Sequence, residues 1–117
     1  MRTAETPVQV LQNVIVVTLQ VDLSASVISY LNSRVLEVVQ ATKLRWVILD
    51  LSGMDVIDDR EFAELIKLRD KIKLMGATTI LAGLKPHVIV ALDTLGTDLS
   101  DIKAGRDLDQ ALQMAGV

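Results

Sequence analysis

The chain reads as an α/β domain: a mixed, mostly parallel β-sheet opened by an antiparallel hairpin and flanked by about four α-helices. Three observations predict this. Short runs rich in Val and Ile alternate with longer segments whose apolar residues recur at three- and four-residue steps. Hydrophobic residues make up 50% of the sequence and aromatics only 3%, so the core must be aliphatic, as suits strands covered on both faces. The 117 residues suffice for one domain and are too few for two, so a single domain over residues 1–117 is expected.

The elements follow in order. Pro7 permits a strand to start after it. Val8 to Leu11 and Val14 to Leu19, separated by Gln12-Asn13, spell two strands and a tight turn. Ser24 or Asp22 then caps a helix over roughly residues 24–42. Val27, Ile28, Leu31, Val35, Val38 and Val39 share one face of it, with Arg34 and Glu37 off that stripe. A central strand covers about 46–51. A second helix runs from about Asp59 to Leu74, with Phe62, Leu65, Ile66, Arg69 and Ile72 on one face and Arg69 at the stripe's edge. Gly76 stops it. Thr78 to Leu81 is a β-branched strand. Gly83-Leu-Lys-Pro86 is a loop, and Pro86 suits the first turn of a third helix that buries Val88, Ile89, Leu92 and Leu95 and ends at Gly96. A last short strand is expected over Asp98 to Ile102. A fourth helix, about 106–115, carries Leu108, Ala111, Leu112 and Ala115.

Composition narrows the function. The net charge is −3 and there is no basic run or aromatic platform, so nothing points to nucleic acid. No cysteine is present, which removes disulfides and thiolate metal sites. The N-terminal residues lack the apolar stretch of a signal peptide, and no apolar run approaches the ~18 residues of a membrane span. A cytoplasmic domain that does not engage a membrane is expected. Mean hydropathy is +0.41, high for a small monomer, and implies apolar surface set aside for other subunits.

One stretch organises the chain: Trp46-Val-Ile-Leu-Asp-Leu-Ser-Gly-Met-Asp-Val-Ile-Asp-Asp-Arg-Glu61. It reads as a buried strand, a loop pinned to the core by Met54, Val56 and Ile57, and a helix start crowded with Asp58, Asp59 and Glu61. Carboxylates are favoured there by free backbone N–H groups and the positive end of the helix dipole. Asp58 and Glu61 fit the spacing of a capping box, with Asp in place of Ser or Thr.

Catalytic patterns are scarce. His87 is the only histidine, follows Pro86 at a helix start, and is expected on the surface or at an interface. There is no Gly-x-Ser-x-Gly elbow and no phosphate-binding Gly-x-x-x-x-Gly-Lys loop. A cation held by Asp55, Asp58 and Asp59 is set aside, because carboxylates at a helix start need no metal. Asp50 at a strand end resembles the acceptor of a receiver domain, but the early strands lack the acidic pair and Ala82-Gly83 stands where a lysine is required. No enzyme activity, metal or cofactor is expected.

At Val47-Ile-Leu-Asp-Leu-Ser-Gly-Met-Asp-Val-Ile-Asp-Asp59 the chain resembles the signature of STAS domains, the family of anti-sigma-factor antagonists. Within it, Lys73-Leu-Met-Gly-Ala77, Leu81-Ala-Gly-Leu-Lys-Pro-His-Val88, Thr94-Leu-Gly-Thr-Asp-Leu99 and Asp107-Leu-Asp-Gln-Ala-Leu112 are similar to the RsbS-type stressosome scaffolds, as is the short Pro7-Val-Gln-Val-Leu11. The resemblance implies a regulatory scaffold without catalysis. Such a scaffold self-associates, assembles with RsbR-type STAS sensor proteins into a large shell, and holds an RsbT-type serine kinase. The kinase phosphorylates the scaffold and leaves, and an RsbX-type phosphatase resets it. The alternative within the family is a one-to-one antagonist of an anti-sigma kinase. The implied docking surface comprises Asp55, Asp58, Asp59 and Arg60, with Gly83, Lys85 and Pro86 in a loop beside it.

One departure matters. The family's phosphoacceptor Ser follows Ile-Asp at the helix start; here Asp59 follows Ile57-Asp58, so no hydroxyl is available. Asp59 is either an engineered phosphomimetic or a natural variant locked in one charge state. The Thr that RsbR-type relatives carry before the Gly-x-x-Pro loop is replaced by Ala82. A phosphoserine brings about −1.5 to −2 charges and three acceptor oxygens, whereas aspartate brings about −1 and two on a shorter arm.

Overall fold

The computed structural model describes residues 8–20 and 23–117. The readings at Pro7 and at Asp22 lie outside these residues. Among them, nine elements run in the order β1 (Val8–Leu11), β2 (Val14–Thr18), α1 (Ala25–Thr42), β3 (Trp46–Asp50), α2 (Asp59–Leu74), β4 (Thr78–Ala82), α3 (Pro86–Thr94), β5 (Ala104–Gly105) and α4 (Leu108–Met114). The sheet order is β1-β2-β3-β4-β5. Only β1 and β2 pair antiparallel.

Local chemistry sets each boundary. Gln12 and Asn13 both take positive φ, 51° and 70°, the backbone that joins two twisted strands through a two-residue turn. Ser24 caps α1, its Oγ accepting from the Val27 N–H at 3.3 Å. Gly76 closes α2: its N–H reaches the Lys73 carbonyl, and the Ala77 N–H reaches the Ile72 carbonyl, which together satisfy two otherwise orphaned acceptors. Pro86 opens α3, where its missing N–H costs nothing.

Because β2 to β5 follow one another across the sheet, right-handed crossovers carry α1, α2 and α3 to the same face. Ile15, Val17, Val47, Leu49 and Leu81 pack there against Leu31, Val35, Phe62, Leu65, Leu68, Val88 and Leu92. On the other face Val14, Val16, Ile48, Ile80 and Ala82 meet Ala111 of α4. Among the described residues the strand order runs β1 to β5 without reversing, so they form no switch-point crevice of the doubly wound kind.

Four sequence readings need correction. Residues 98–102 form a turn rather than a strand, and the last strand is the two-residue β5. Asp98 is the reason: its Oδ1 accepts from both the Ser100 N–H and Oγ, an Asx-type turn that competes with strand pairing. In α3 only Val88 and Leu92 are buried; Ile89 and Leu95 are exposed, because a nine-residue helix presents a narrow seam. On α2, Leu68 is buried and Ile66 only partly so: the buried stripe runs through positions 61, 65, 68 and 72. Val56 is 75% exposed, whereas Met54 and Ile57 are buried. Two anchors three residues apart suffice to pin the loop, and the residues between them point outward.

Candidate functional site

Three loops leave the C-terminal ends of β2, β3 and β4 side by side. The ladder extends into them: the Leu19 N–H donates to the Asp50 carbonyl, and the Leu51 N–H to the Ala82 carbonyl. The middle loop, residues 51–58, is gripped from both sides. Asp50, 9% exposed, turns the chain by accepting from the Ser52 N–H at 3.1 Å and from its Oγ at 2.7 Å. A Cβ on Gly53 would lie 2.9 Å from Gln20 Cγ. On the other side Gly83, at φ +78°, lets the backbone run against Ser52; a Cβ there would sit 2.7 Å from Ser52 Cβ.

Lys85 ties the loops together. Its Nζ donates to the Ser52 carbonyl at 2.5 Å and the Met54 carbonyl at 3.4 Å, and pairs with Asp55 at 3.3 Å. His87 Nε2 lies 2.7 Å from the Asp55 carbonyl oxygen. Pro86 is exposed between them. Asp55, Gly83, Lys85 and Pro86 are therefore brought to one place.

At the far end of the loop the capping box is complete. Asp58 Oδ1 accepts from the Glu61 N–H at 2.7 Å, and Glu61 Oε1 accepts from the Asp58 N–H at 3.1 Å. Glu61 also does what its spacing alone did not reveal. It is 8% exposed, and its Oε2 accepts from the Leu23 N–H at 3.0 Å. Arg60 Nη2 donates to the Leu23 carbonyl at 3.4 Å, so the first turn of α2 holds both sides of that residue and with it the entry to α1. Asp59 is different. It is exposed, and among the described residues its carboxylate meets only the neighbouring Arg60 N–H, at 3.0 Å. Since Asp58 performs the capping, the Asp59 side chain has no structural duty comparable to those of Asp58 and Glu61.

The Ser52 hydroxyl donates to the Asp50 carboxylate, and His87 Nε2 faces a backbone carbonyl. Among the described residues no three His, Cys, Asp or Glu side chains form a metal-binding group, and no helix is long and apolar enough to cross a membrane.

The family model described as STAS domain matches residues 5–111. The chain belongs to the STAS family. RsbT co-antagonist protein RsbRD of Bacillus subtilis is 35% identical to this STAS chain over 82 residues, 70% of the chain but only 30% of that relative. The match to RsbRA of the same organism, 30% identical over 69 residues, covers 25% of that protein. The chain thus spans less than a third of these relatives' length. Among solved structures, a Ser-to-Glu variant of Moorella thermoacetica RsbS has the same fold, with a TM-score of 0.83 at 22% identity, covering 97% of this chain and 96% of that one. The unphosphorylated anti-sigma factor antagonist SpoIIAA superposes less closely, with a TM-score of 0.71 at 11% identity, covering 97% and 98%.

Proposed function

We propose that this STAS domain is a non-catalytic regulatory scaffold of the stressosome type. It co-assembles with itself and with RsbR-type sensor proteins and retains an RsbT-type switch kinase, whose release is set by negative charge at the start of α2. The observation that carries this reading is the exposed Asp59 carboxylate, left spare by a neighbour that caps the helix, at the position where family members carry the phosphoacceptor. Asp55, Asp58, Asp59 and Arg60 form the docking surface, with Gly83, Lys85 and Pro86 in the loop beside it. An exposed Val56, the outward Ile89 and Val90 of α3, and Leu95 at its C-cap supply apolar area for a partner. Fixed charge at position 59 makes an RsbX-type phosphatase redundant for this site.

Co-expression with an RsbR-type protein, followed by sizing of the purified product, tests the scaffold role. A particle far larger than a dimer that contains both chains is the expected product. A one-to-one complex with an anti-sigma kinase, and no co-assembly, supports the rival role of simple antagonist.

A further inference from the structure

At the opposite end of the sheet from the acidic loop lies a cavity of about 150 Å³ between α2, the start of β4 and the segment that leads into β5. Arg69, Lys73 and Lys103 line it, together with Thr78, Thr79 and one acid, Asp101. Arg69 is held in place: it donates to the Asp101 carbonyl at 3.0 Å and to the Asp70 carboxylate at 3.0 Å. Lys73 and Lys103 have no ion-pair partner among the described residues. Thr79 is only 4% exposed, and its Oγ1 has no hydrogen-bond partner. A buried hydroxyl is normally paired, and leaving one unpaired is costly.

The structure's two oddities answer each other. Thr79 shares a sheet face with Leu81, which packs in the core beneath α2, and it borders the space lined by the cations. We propose that this cavity binds a small oxyanion of phosphate size. Rotation of the Thr79 side chain about its Cα–Cβ bond would bring the buried hydroxyl to the cavity wall to donate to one oxygen, and Lys73 and Lys103 would balance the charge from the open side. The position of Lys73 in the last turn of α2 has an ordinary explanation in the helix dipole, but that explanation covers neither Lys103 nor the unpaired hydroxyl. The site is independent of the acidic loop and of the scaffold reading.

The test is a titration of the full chain with inorganic phosphate, with ionic strength held constant by chloride, followed by the amide signals of Thr78, Thr79 and Lys103. A saturable shift is expected. Lys73→Gln and Lys103→Gln alter exposed side chains and should each weaken binding at least fivefold. Thr79→Val keeps the side-chain shape, removes the hydroxyl, and should weaken it several-fold. A parallel titration with glycerol 3-phosphate separates a free anion from a phosphate ester; saturation by either supports the site. Shifts that chloride reproduces, or that survive both lysine substitutions, would overturn it and leave the cavity to water.

Discussion

Glu61→Ala probes the joint between the acidic helix start and the rest of the fold. In the structure one carboxylate satisfies two backbone N–H groups, those of Asp58 and Leu23, and the second lies 38 residues away. Alanine leaves both without an acceptor, and the carboxylate is too buried for water to replace it freely. Hydrogen bonds to charged acceptors are worth about 1.5–3 kcal/mol, and loss of a helix cap typically about 1 kcal/mol, so a total near 3 kcal/mol is expected. With a urea m-value of about 1.5 kcal/mol/M, the unfolding midpoint should fall by about 2 M. Glu61→Gln keeps one acceptor and turns an NH₂ toward the other donor, so it should fall between wild type and alanine. Equilibrium urea unfolding followed by circular dichroism measures the midpoints, and amide exchange at Leu23 reports the bond directly. A loss below about 0.5 kcal/mol for alanine, or unchanged protection at Leu23, would refute the reasoning, because it would place the helix start outside the cooperative structure.

Other predictions follow from the same geometry. Gly83→Ala places a methyl group 2.7 Å from Ser52 Cβ at φ +78°, and should cost about 2–4 kcal/mol in chemical unfolding. Gly96→Ala, at φ +81° with nothing within 4 Å, should cost only about 1 kcal/mol; equal costs would show that the contact with Ser52 is immaterial. Lys85→Gln removes the tie between the loops. It should raise amide exchange over residues 52–57 several-fold with a stability loss of about 1 kcal/mol or less, and unchanged exchange would count against the tie. The Asp98 carboxyl is held below the usual aspartate range, first by the Ser100 hydroxyl and then by its N–H. A depressed folded value means that this contribution is present above the unfolded-state value and fades as pH falls through the folded one, in the acid range. Ser100→Ala should move the Asp98 titration upward by carboxyl-carbon NMR, and an unmoved midpoint would contradict the assignment.

What the sequence disclosed, it disclosed through local spacing. Gln12-Asn13 between two Val-rich runs specified the hairpin, and Asp58 with Glu61 specified the capping box, since both depend on residues a few positions apart. The links that assemble the candidate site escaped notice because their acceptors are backbone carbonyls. Nothing in the sequence marks Ser52 or Asp55 as the targets of Lys85 and His87, some 32 or 33 residues away. The Glu61–Leu23 bond was hidden in a similar way, because its donor is a backbone N–H 38 residues away. The misplaced last strand is instructive, because its signal was present. Asp98-Leu-Ser100 repeats the Asp50-Leu-Ser52 pattern, and in both places the aspartate turns the chain by accepting from the serine two residues on. Read as a turn at both positions, the motif places the strand after Ile102. The exposure of Ile89 and Leu95 follows from a third helix packed along one seam only, which apolar periodicity cannot distinguish from a wider one.

The charge at the start of α2 is the centre of the account, and the affinity of an RsbT-type kinase for the Asp59 protein and for its Asp59→Ser variant measures it most directly. Removal of one exposed charge should tighten the complex about tenfold at low salt, equivalent to about 1.4 kcal/mol, and the gain should shrink as salt is raised. Identical affinities for the two proteins at every salt concentration would contradict it.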